Sequence, residues 1–477
     1  MRRLAVVVGL VLALGLAYAT LDVYDHVPGV LTLAPPPDPL PATVTPGAGT
    51  AAAPFAQPRT AVSGMPLATP GPQAPLPTAA GIQVSLREVL DNPGFTGSVS
   101  AAVRDAVTGA HLLDVGANDP RIPASSLKLL SAAAVNATFA PGATLTTTVV
   151  QGAAPDRVLL VAGGDTLLDP GAGDPAAVSG RAGLGALAST TATALRGKGT
   201  GAVNVALDLG YAPGPLTAPT WSSSFRPDGI TGSVAAIGLS TQRATPGHPG
   251  PADPTAAVLA AFVAALRGNG IQATVDQSAF APSGAGVLAS VASAPVSDQL
   301  ALALAESDNA LAESLTRQAA FRAGTAPGFA ETAAFVRTSL AAHGVDVSGV
   351  RTVDSSGLSR ENLVPARVLA DVMALGTSGT VPGMRDTLRQ LPVAGLSGTL
   401  SNRFTDAATH SAAGIARAKT GTLTGVSAMA GTVVTADGRL VTFTVLADGI
   451  DPGVGTLRAR EALDRFTATL ASCGCPS

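Results

Sequence analysis

The sequence predicts a mixed α/β fold of the α+β type, in which helices pack on an antiparallel sheet and a β-rich unit is inserted. Strand pairs separated by turn residues lie near both ends of the predicted folded region, at 99–115 and 426–446. Helical composition dominates much of the chain between them. From 145 to 287, the composition is instead that of short β-strands separated by Gly and Pro. We therefore expect both ends of the folded region to meet in one sheet.

The elements can be assigned in chain order from about Ile82. A first hairpin joins 99–105 to 110–115, and a helix opens at Ser125. The inserted unit contributes strands at 146–150, 158–162 and 203–209 and one helix at 256–268. Helical texture then covers 298–321, 331–343 and 365–376, before a hairpin of 426–435 and 440–446 with an Asp437-Gly438 turn. An amphipathic helix at 457–470 ends the fold.

The amino terminus has the pattern of an export signal. Arg2 and Arg3 precede an uncharged, mostly apolar run from Leu4 to Leu21. A small-x-small site at 17–19 is typical of cleavage, whereas the run also approaches the roughly 20 residues that span a bilayer. Residues 1–34 are therefore a signal peptide or a membrane anchor that contacts the membrane if uncleaved. We expect the rest to be extracytoplasmic, either anchored or secreted.

Composition divides the remainder of the chain. Residues 35–81 are rich in Pro, Ala, Gly and Thr and predict a disordered linker. The main domain is expected at 82–144 and 288–470, with the inserted domain at 145–287 and a tail at 471–477. Cys473 and Cys475 lie in that tail, where a local disulfide and an unstructured end are both open.

Charge and metal-ligating residues exclude several functions. The formal net charge is −3 and no basic block occurs, so nucleic acid is a poor candidate partner. Two cysteines two residues apart exclude a multi-cysteine zinc site. The five histidines have no metal-ligand spacing. The sequence therefore predicts neither a metal nor a cofactor.

Lysine usage points to a reactive centre. Only Lys128, Lys198 and Lys419 are lysines among the 29 basic residues. An amine, unlike a guanidinium, can lose its proton when it is buried, so a chain rich in arginine keeps lysine where a base is needed. Lys198 lies in a Gly-rich loop and is expected to be a solvated charge. The other two are candidates for chemistry.

Three short motifs surround these two lysines. Ser125-x-x-Lys128 at a helix start brings an amine to the hydroxyl on the same face, which is a nucleophile with its base. Ser307-Asp308-Asn309 supplies a hydroxyl and an amide on one turn. Lys419-Thr420-Gly421-Thr422 precedes the last hairpin, and its glycine lets another backbone approach the strand. All three in this order are expected by chance in fewer than about one in a hundred chains.

This ordered set resembles the signature of penicillin-binding proteins and serine β-lactamases. Further segments resemble the class C low-molecular-mass D-alanyl-D-alanine carboxypeptidase/endopeptidases. They are Pro123-Ala124-Ser125, Leu160-Val161-Ala162-Gly163-Gly164-Asp165, Asp354-Ser355-Ser356-Gly357-Leu358-Ser359-Arg360 and Leu391-Pro392-Val393-Ala394-Gly395 with Gly398-Thr399-Leu400. The resemblance spans Ile82 to Leu470 and implies the transpeptidase fold with a domain inserted between the first two motifs.

The resemblance also implies roles. Ser125 would attack the carbonyl between two D-alanines, and Lys128 would take its proton, with a pKa lowered by burial and by the charge of Lys419. Backbone N–H groups of Ser125 and Thr422 would bind the oxyanion. The implied catalytic residues are Ser125, Lys128 and Ser307, and the implied substrate-binding residues are Asn309, Lys419, Thr420, Gly421 and Thr422.

The implied partners are peptidoglycan stem peptides as substrates and β-lactams as inhibitors. The balance of carboxypeptidase and endopeptidase action stays open, because both attack the same carbonyl. Two alternatives remain: a β-lactamase-like hydrolase that deacylates quickly, and a non-catalytic penicillin-binding sensor or scaffold. The 354–360 segment is assigned to a turn and is left out of the catalytic set.

Overall fold

The computed structural model describes residue 71, residues 73–96 and residues 99–475. The predicted signal or anchor segment at 1–34 and most of the predicted linker lie outside these residues. Across the described ranges, none of the helices combines the length and apolar character that crossing a bilayer requires.

The described elements are as follows. The helices are α1 (Ala79–Leu90), α2 (Lys128–Thr138), α3 (Leu184–Gly197), α4 (Pro254–Gly268), α5 (Val296–Ala305), α6 (Asn309–Arg322), α7 (Phe329–Ala342), α8 (Ala366–Ser378), α9 (Pro382–Arg389) and α10 (Thr456–Ser472). The strands are β1 (Val99–Asp105), β2 (His111–Val115), β3 (Pro120–Arg121), β4 (Thr146–Gln151), β5 (Arg157–Val161), β6 (Ala202–Asp208), β7 (Gln272–Val275), β8 (Val287–Ala292), β9 (Val364–Pro365), β10 (Arg417–Leu423), β11 (Val426–Val434) and β12 (Leu440–Ala447).

The main sheet is antiparallel and joins both ends of the described chain. Its order is β10-β11-β12-β1-β2, so the first hairpin pairs with the last one through β1 and β12. Both hairpins were predicted from apolar-rich runs that flank turn residues. The predicted α+β fold is confirmed, and β10 lies at an edge of the sheet.

Helices cover both faces of this sheet. On one face α1 and α10 pack against it, with Phe443 of β12 and Phe466 of α10 in one apolar cluster. On the other face the cluster contains α2, whose residues from Lys128 to Val135 are all buried. Small alanine side chains let α2 approach the sheet and neighbouring helices closely. The Ser125-x-x-Lys128 motif therefore leads into a helix in the centre of the domain.

The inserted domain has its own mixed sheet, in the order β7-β6-β5-β4-β8. Strands β5, β6 and β7 are parallel, and α3 and α4 form the two crossover connections. Parallel neighbours require such crossovers. Helix α3 is absent from the sequence assignment, because its Ser and Thr residues lower helix propensity. Strand β8 starts at Val287 and pairs with β4, so this sheet extends through Ala292.

Both ends of the described chain lie against the main domain. Residues 73–81 were assigned to the linker, but α1 begins at Ala79 with Thr78 as its N-cap. The Thr78 amide donates to the Cys475 carbonyl, and α10 continues to Ser472. Cys473 and Cys475 form a local disulfide. The structured region therefore extends beyond 82–470 in both directions.

Candidate active site

Ser125 lies on a tight turn that leads into α2. Residues Ala124–Leu127 form a 3-10 turn, and Ala124 has a φ of +45°. This left-handed conformation is costly for alanine and is kept only where surrounding structure holds it. A side chain at Gly357 would overlap the Ala124 carbonyl, so a glycine is needed against this turn. The hydroxyl of Ser125 is partly exposed, whereas Ser126 is buried and donates to the Pro123 carbonyl.

The amine of Lys128 has three close partners. Its Nζ lies 3.0 Å from Ser125 Oγ, 2.6 Å from Asn309 Oδ1 and 2.8 Å from the Ser356 carbonyl. A neutral amine has two N–H groups and one lone pair. The Asn309 and Ser356 oxygens can only accept, so they take both N–H groups, and the lone pair faces the Ser125 hydroxyl. The same three oxygens also satisfy the three N–H groups of the ammonium form, so these contacts allow Lys128 to alternate between the two forms, as a base must.

The electrostatic surroundings of Lys128 differ in one respect from the expectation. Burial lowers the pKa of Lys128 to about 8, while the charges of Asp354, Glu313 and Asp308 act in the opposite direction. The predicted lowering by Lys419 is not among these causes. The like-charge effect falls instead on the pKa of Lys419, which burial and then the charge of Lys128 hold well below its usual value.

The second motif forms a turn between α5 and α6. The sequence predicted helical texture across 298–321, but the helix is interrupted at Ser307, whose φ is +59°. Asp308 is the N-cap of α6 and accepts the Leu311 N–H at 2.9 Å. Asn309 is the first residue of α6, and its amide reaches Lys128. The turn thus directs Ser307 and Asn309 to two different lysines.

The third motif lies on the edge strand β10. Lys419 is fully buried, and its Nζ lies 3.0 Å from Ser307 Oγ and 2.8 Å from the Thr420 carbonyl. A Cβ at Gly421 would lie 2.7 Å from the Pro123 carbonyl oxygen and 3.0 Å from the Ser125 amide nitrogen. Glycine therefore lets β10 approach the turn that carries Ser125. Thr420 is buried and donates to Thr399 at 2.9 Å, whereas Thr422 is exposed.

The structure thus brings together the predicted site residues. Ser125, Lys128 and Asn309 are linked through one amine, Ser307 and Lys419 through the other, and β10 lies beside Ser125. Within the described ranges, no group of three or more His, Cys, Asp or Glu side chains is arranged to hold a metal ion. The cleft presents the hydroxyls of Ser125 and Ser307 and the amines of Lys128 and Lys419.

Several residues that support the site were not predicted from the sequence. Glu313 is buried and accepts the Ser355 and Ser356 amide N–H groups, both at 2.8 Å. Burial raises its pKa to about 8, and the charge of Asp354 also raises it. The Asp354 carboxylate accepts backbone and side-chain donors, including Trp221 Nε1 of the inserted domain at 2.8 Å.

The assignment of 354–360 to a turn is compatible with these bonds. That turn also presents the Ser356 carbonyl to Lys128, which residue types alone could not indicate.

Comparison with known proteins identifies the family. The model of the D-Ala-D-Ala carboxypeptidase 3 (S13) family matches residues 82–248 and 230–470. The chain belongs to this family. It is therefore a serine-type peptidase of the D-Ala-D-Ala carboxypeptidase group, and the predicted resemblance to class C low-molecular-mass penicillin-binding proteins is confirmed.

Individual relatives agree with this assignment. The chain is 36% identical over 408 residues to carboxypeptidase DacB of Mycolicibacterium smegmatis, covering 84% of this chain and 86% of the relative. It is 32% identical over 456 residues to a carboxypeptidase of Mycobacterium tuberculosis, covering 94% and 92%. The fold is similar to that of penicillin-binding protein 4 of Haemophilus influenzae, with a TM-score of 0.64 and 19% identity over 83% of this chain and 98% of that one.

Proposed function

We propose that this D-Ala-D-Ala carboxypeptidase cleaves peptidoglycan stem peptides through an acyl-enzyme on Ser125, and that β-lactams acylate the same hydroxyl. The observation that carries the proposal is the position of the Lys128 amine, 3.0 Å from Ser125 Oγ, with its two N–H groups directed to other acceptors. The curated relatives are named carboxypeptidases.

Acylation begins at Ser125. The lone pair of Lys128 takes the hydroxyl proton as Oγ forms a bond to the carbonyl carbon between the two D-alanines. The negative charge that develops on the carbonyl oxygen is stabilised by the backbone N–H groups of Ser125 and Thr422. Support for this pair comes from the close approach of β10 to the Ser125 amide at Gly421. Lys128 then carries the proton that the leaving amine must receive.

Departure of D-alanine involves the second amine. The proton held by Lys128 passes through the Ser307 hydroxyl to the leaving nitrogen while the carbon–nitrogen bond breaks, which leaves Lys128 neutral again, and Lys419 donates a hydrogen bond to Ser307. The terminal carboxylate of the substrate binds at Lys419, Thr420 and Thr422, and its negative charge favours the protonated form of Lys419. Water then cleaves the ester and regenerates Ser125.

Asn309 has a second capacity beside its contact with Lys128. Its Nδ2 donates to the Ile230 carbonyl at 2.7 Å, which uses one of two amide hydrogens. The other hydrogen is assigned to a substrate carbonyl. A β-lactam is attacked in the same way, but its amine stays tethered to the acyl group, so the ester persists.

Intact-protein mass spectrometry tests the acyl-enzyme. Incubation with benzylpenicillin should add one penicillin mass to the purified domain and none to the Ser125→Ala variant. Defined stem pentapeptides should lose one D-alanine with the wild-type protein alone. Undiminished turnover by Ser125→Ala would contradict the proposal. Rapid release of penicilloate, instead of a persistent adduct, would favour the β-lactamase-like alternative.

The same carbonyl is attacked in endopeptidase action, with a cross-linking amine as the leaving group. We infer that the protein also cleaves D,D-cross-links, because β10 is an edge strand along which an extended peptide can lie. Purified cross-linked muropeptide dimers should be converted to monomers. Cleavage of pentapeptides but not of dimers would restrict the function to carboxypeptidase action.

We propose an extracytoplasmic location, held at the membrane or released. The support is the charged start at Arg2 and Arg3 followed by the apolar run from Leu4 to Leu21. Protease added to intact spheroplasts should degrade the domain. Protection of the domain under conditions that leave cytoplasmic markers intact would contradict this location.

A further inference from the structure

The middle residue of the second motif faces the inserted domain instead of the cleft lysines. Asp308 Oδ2 accepts Arg243 Nη2 at 2.7 Å and Nε at 3.1 Å. Arg243 follows the 3-10 turn Ser240–Gln242 of the inserted domain and also pairs with Glu306 at 2.5 Å. The side chains of Arg243 and Asp308 are only 19% and 12% exposed, so solvent screens this pair less than a surface pair.

A second bond holds the same turn from the same side. Asn309 Nδ2 donates to the Ile230 carbonyl, which also belongs to the inserted domain. The other end of that amide accepts from Lys128. Asp308 in turn caps α6 through its Oδ1. The inserted domain therefore contacts two consecutive residues, one of which touches the proposed base.

The charges that face Lys128 come from three parts of the main domain. Asp308 is the N-cap of α6 and Glu313 lies within that helix, Asp354 lies in the turn after α7, and Lys419 of β10 is a like charge whose own pKa Lys128 lowers. Asp354 is held by neutral N–H donors, which include Trp221 Nε1 of the inserted domain, and Glu313 accepts two amides. Asp308 differs because a guanidinium of another domain neutralises it.

We propose that Arg243 is a positioning residue through which the inserted domain controls the proton state of Lys128, by pairing with Asp308 and so holding Asn309 against the amine. This inference rests on the proposed role of Lys128 as the base. It assigns a task to the inserted domain, which the family assignment does not.

Removing the charge of Arg243 and removing the charge of Asp308 should have opposite effects on Lys128. This difference distinguishes control of its proton state from structural support alone. Arg243→Gln leaves the Asp308 charge unneutralised and favours the protonated amine. The acylation rate rises with pH, and the midpoint of this rise should therefore shift to higher pH by about 0.5 to 1 unit. Asp308→Asn removes the negative charge and should shift the midpoint of the rate increase to lower pH by a similar amount. Asparagine is as good an N-cap as aspartate, so α6 should keep its start.

Two further variants complete the comparison. Arg243→Lys keeps the charge but loses the bidentate contact, so the midpoint of its rate increase should stay near that of the wild type while the rate falls several-fold. Arg351→Gln breaks the exposed pair with Glu361 and should leave the midpoint in place. Thermal unfolding of each variant shows whether it is folded.

The decisive measurement is the second-order rate of acylation by a fluorescent penicillin from pH 6 to 10. The inference is supported if Arg243→Gln and Asp308→Asn shift the midpoint of the rate increase in opposite directions on the pH scale. Shifts in the same direction, or lower rates with unmoved midpoints, overturn it and reduce the pair to structural support. Failure of the proposed function is separate, because it would leave the wild-type protein unlabelled or its rate independent of Lys128.

Discussion

The Lys128 amine lies 2.6 Å from Asn309 Oδ1, although 181 residues separate the two positions in the chain. The chain leaves the main domain after α2, forms a complete second sheet, and returns at α5 just before the second motif. The first two motifs therefore meet because the inserted domain begins and ends near one place in the main domain. The contact between Ile230 and Asn309 makes that domain part of the site's framework.

Acylation should depend on pH through Lys128. Burial lowers the pKa of this amine to about 8 from an ordinary value of 10.5, so the neutral form becomes abundant only as pH rises through about 8. If a single group with this pKa controls the reaction, the rate of wild-type acylation by penicillin should increase about fivefold from pH 7 to 8 and level off above about pH 9. Stopped-flow fluorescence across this range measures the increase. A rate that falls as pH rises through 8 would contradict the assignment of Lys128 as base.

Glu313 should support the carbonyl that Lys128 contacts. Glu313→Ala leaves the amides of Ser355 and Ser356 without their acceptor, at a cost of about 1–3 kcal/mol each. We expect a lower unfolding free energy in urea and at least about tenfold slower acylation, because the Ser356 carbonyl is no longer fixed. Glu313→Gln retains an accepting oxygen and is the matched control.

The stability difference between Glu313→Gln and the wild type should depend on pH. Burial raises the folded pKa of Glu313 to about 8 from 4.5, so its contribution to stability is present at low pH and is lost as pH rises between these values. As pH rises from 5 to 8, the unfolding free energy of Glu313→Gln should therefore increase relative to that of the wild type. An unchanged difference across this range would argue against a buried, proton-binding glutamate.

Gly421 should be sensitive to a single added carbon. Its Cβ would lie 2.7 Å from the Pro123 carbonyl oxygen, so Gly421→Ala must displace β10 from the nucleophile turn. Acylation should fall by about 10²-fold or more, the scale of losing one oxyanion donor. Gly201→Ala adds a carbon where nothing lies within 4 Å and should acylate normally. Equal rates for the two variants would show that β10 does not need this close approach.

A buried ion pair away from the cleft should contribute to stability. Arg403 and Asp464 are bonded at 2.5 Å, with side chains 5% and 12% exposed. Arg403→Ala leaves a buried carboxylate unpaired and should lower the unfolding free energy by about 3–5 kcal/mol in urea. The exposed Arg351 pair is the control, and Arg351→Ala should cost at most about 1 kcal/mol. Similar losses in both variants would contradict the role of burial.

Much of the fold and of the active-site cleft could be predicted from local sequence. Both hairpins of the main sheet follow from apolar-rich runs and turn residues, and the terminal helix follows from its apolar face. The scarcity of lysine singled out Lys128 and Lys419, because a residue kept against a strong compositional bias has a specific task. The structure brings both lysines to one cleft.

Long-range contacts set the rest. Ser307 lies in a run whose composition is helical, and its positive φ depends on packing between α5 and α6. Arg243 is one of many arginines, and only the paired domains bring it to Asp308. Glu313 has the composition of a solvated helix face but is buried. Parallel pairing of β5, β6 and β7 also leaves no local signal beyond the strands themselves.

Labelling of the Lys128→Arg variant by a fluorescent penicillin tests directly whether a neutral amine activates Ser125. Arginine keeps the positive charge but cannot become a neutral base, so acylation should fall by at least about 10³-fold in a folded protein. Lys198→Arg changes an exposed lysine in the same way and should label like the wild type. Normal labelling of Lys128→Arg would contradict the claim that a neutral amine activates Ser125.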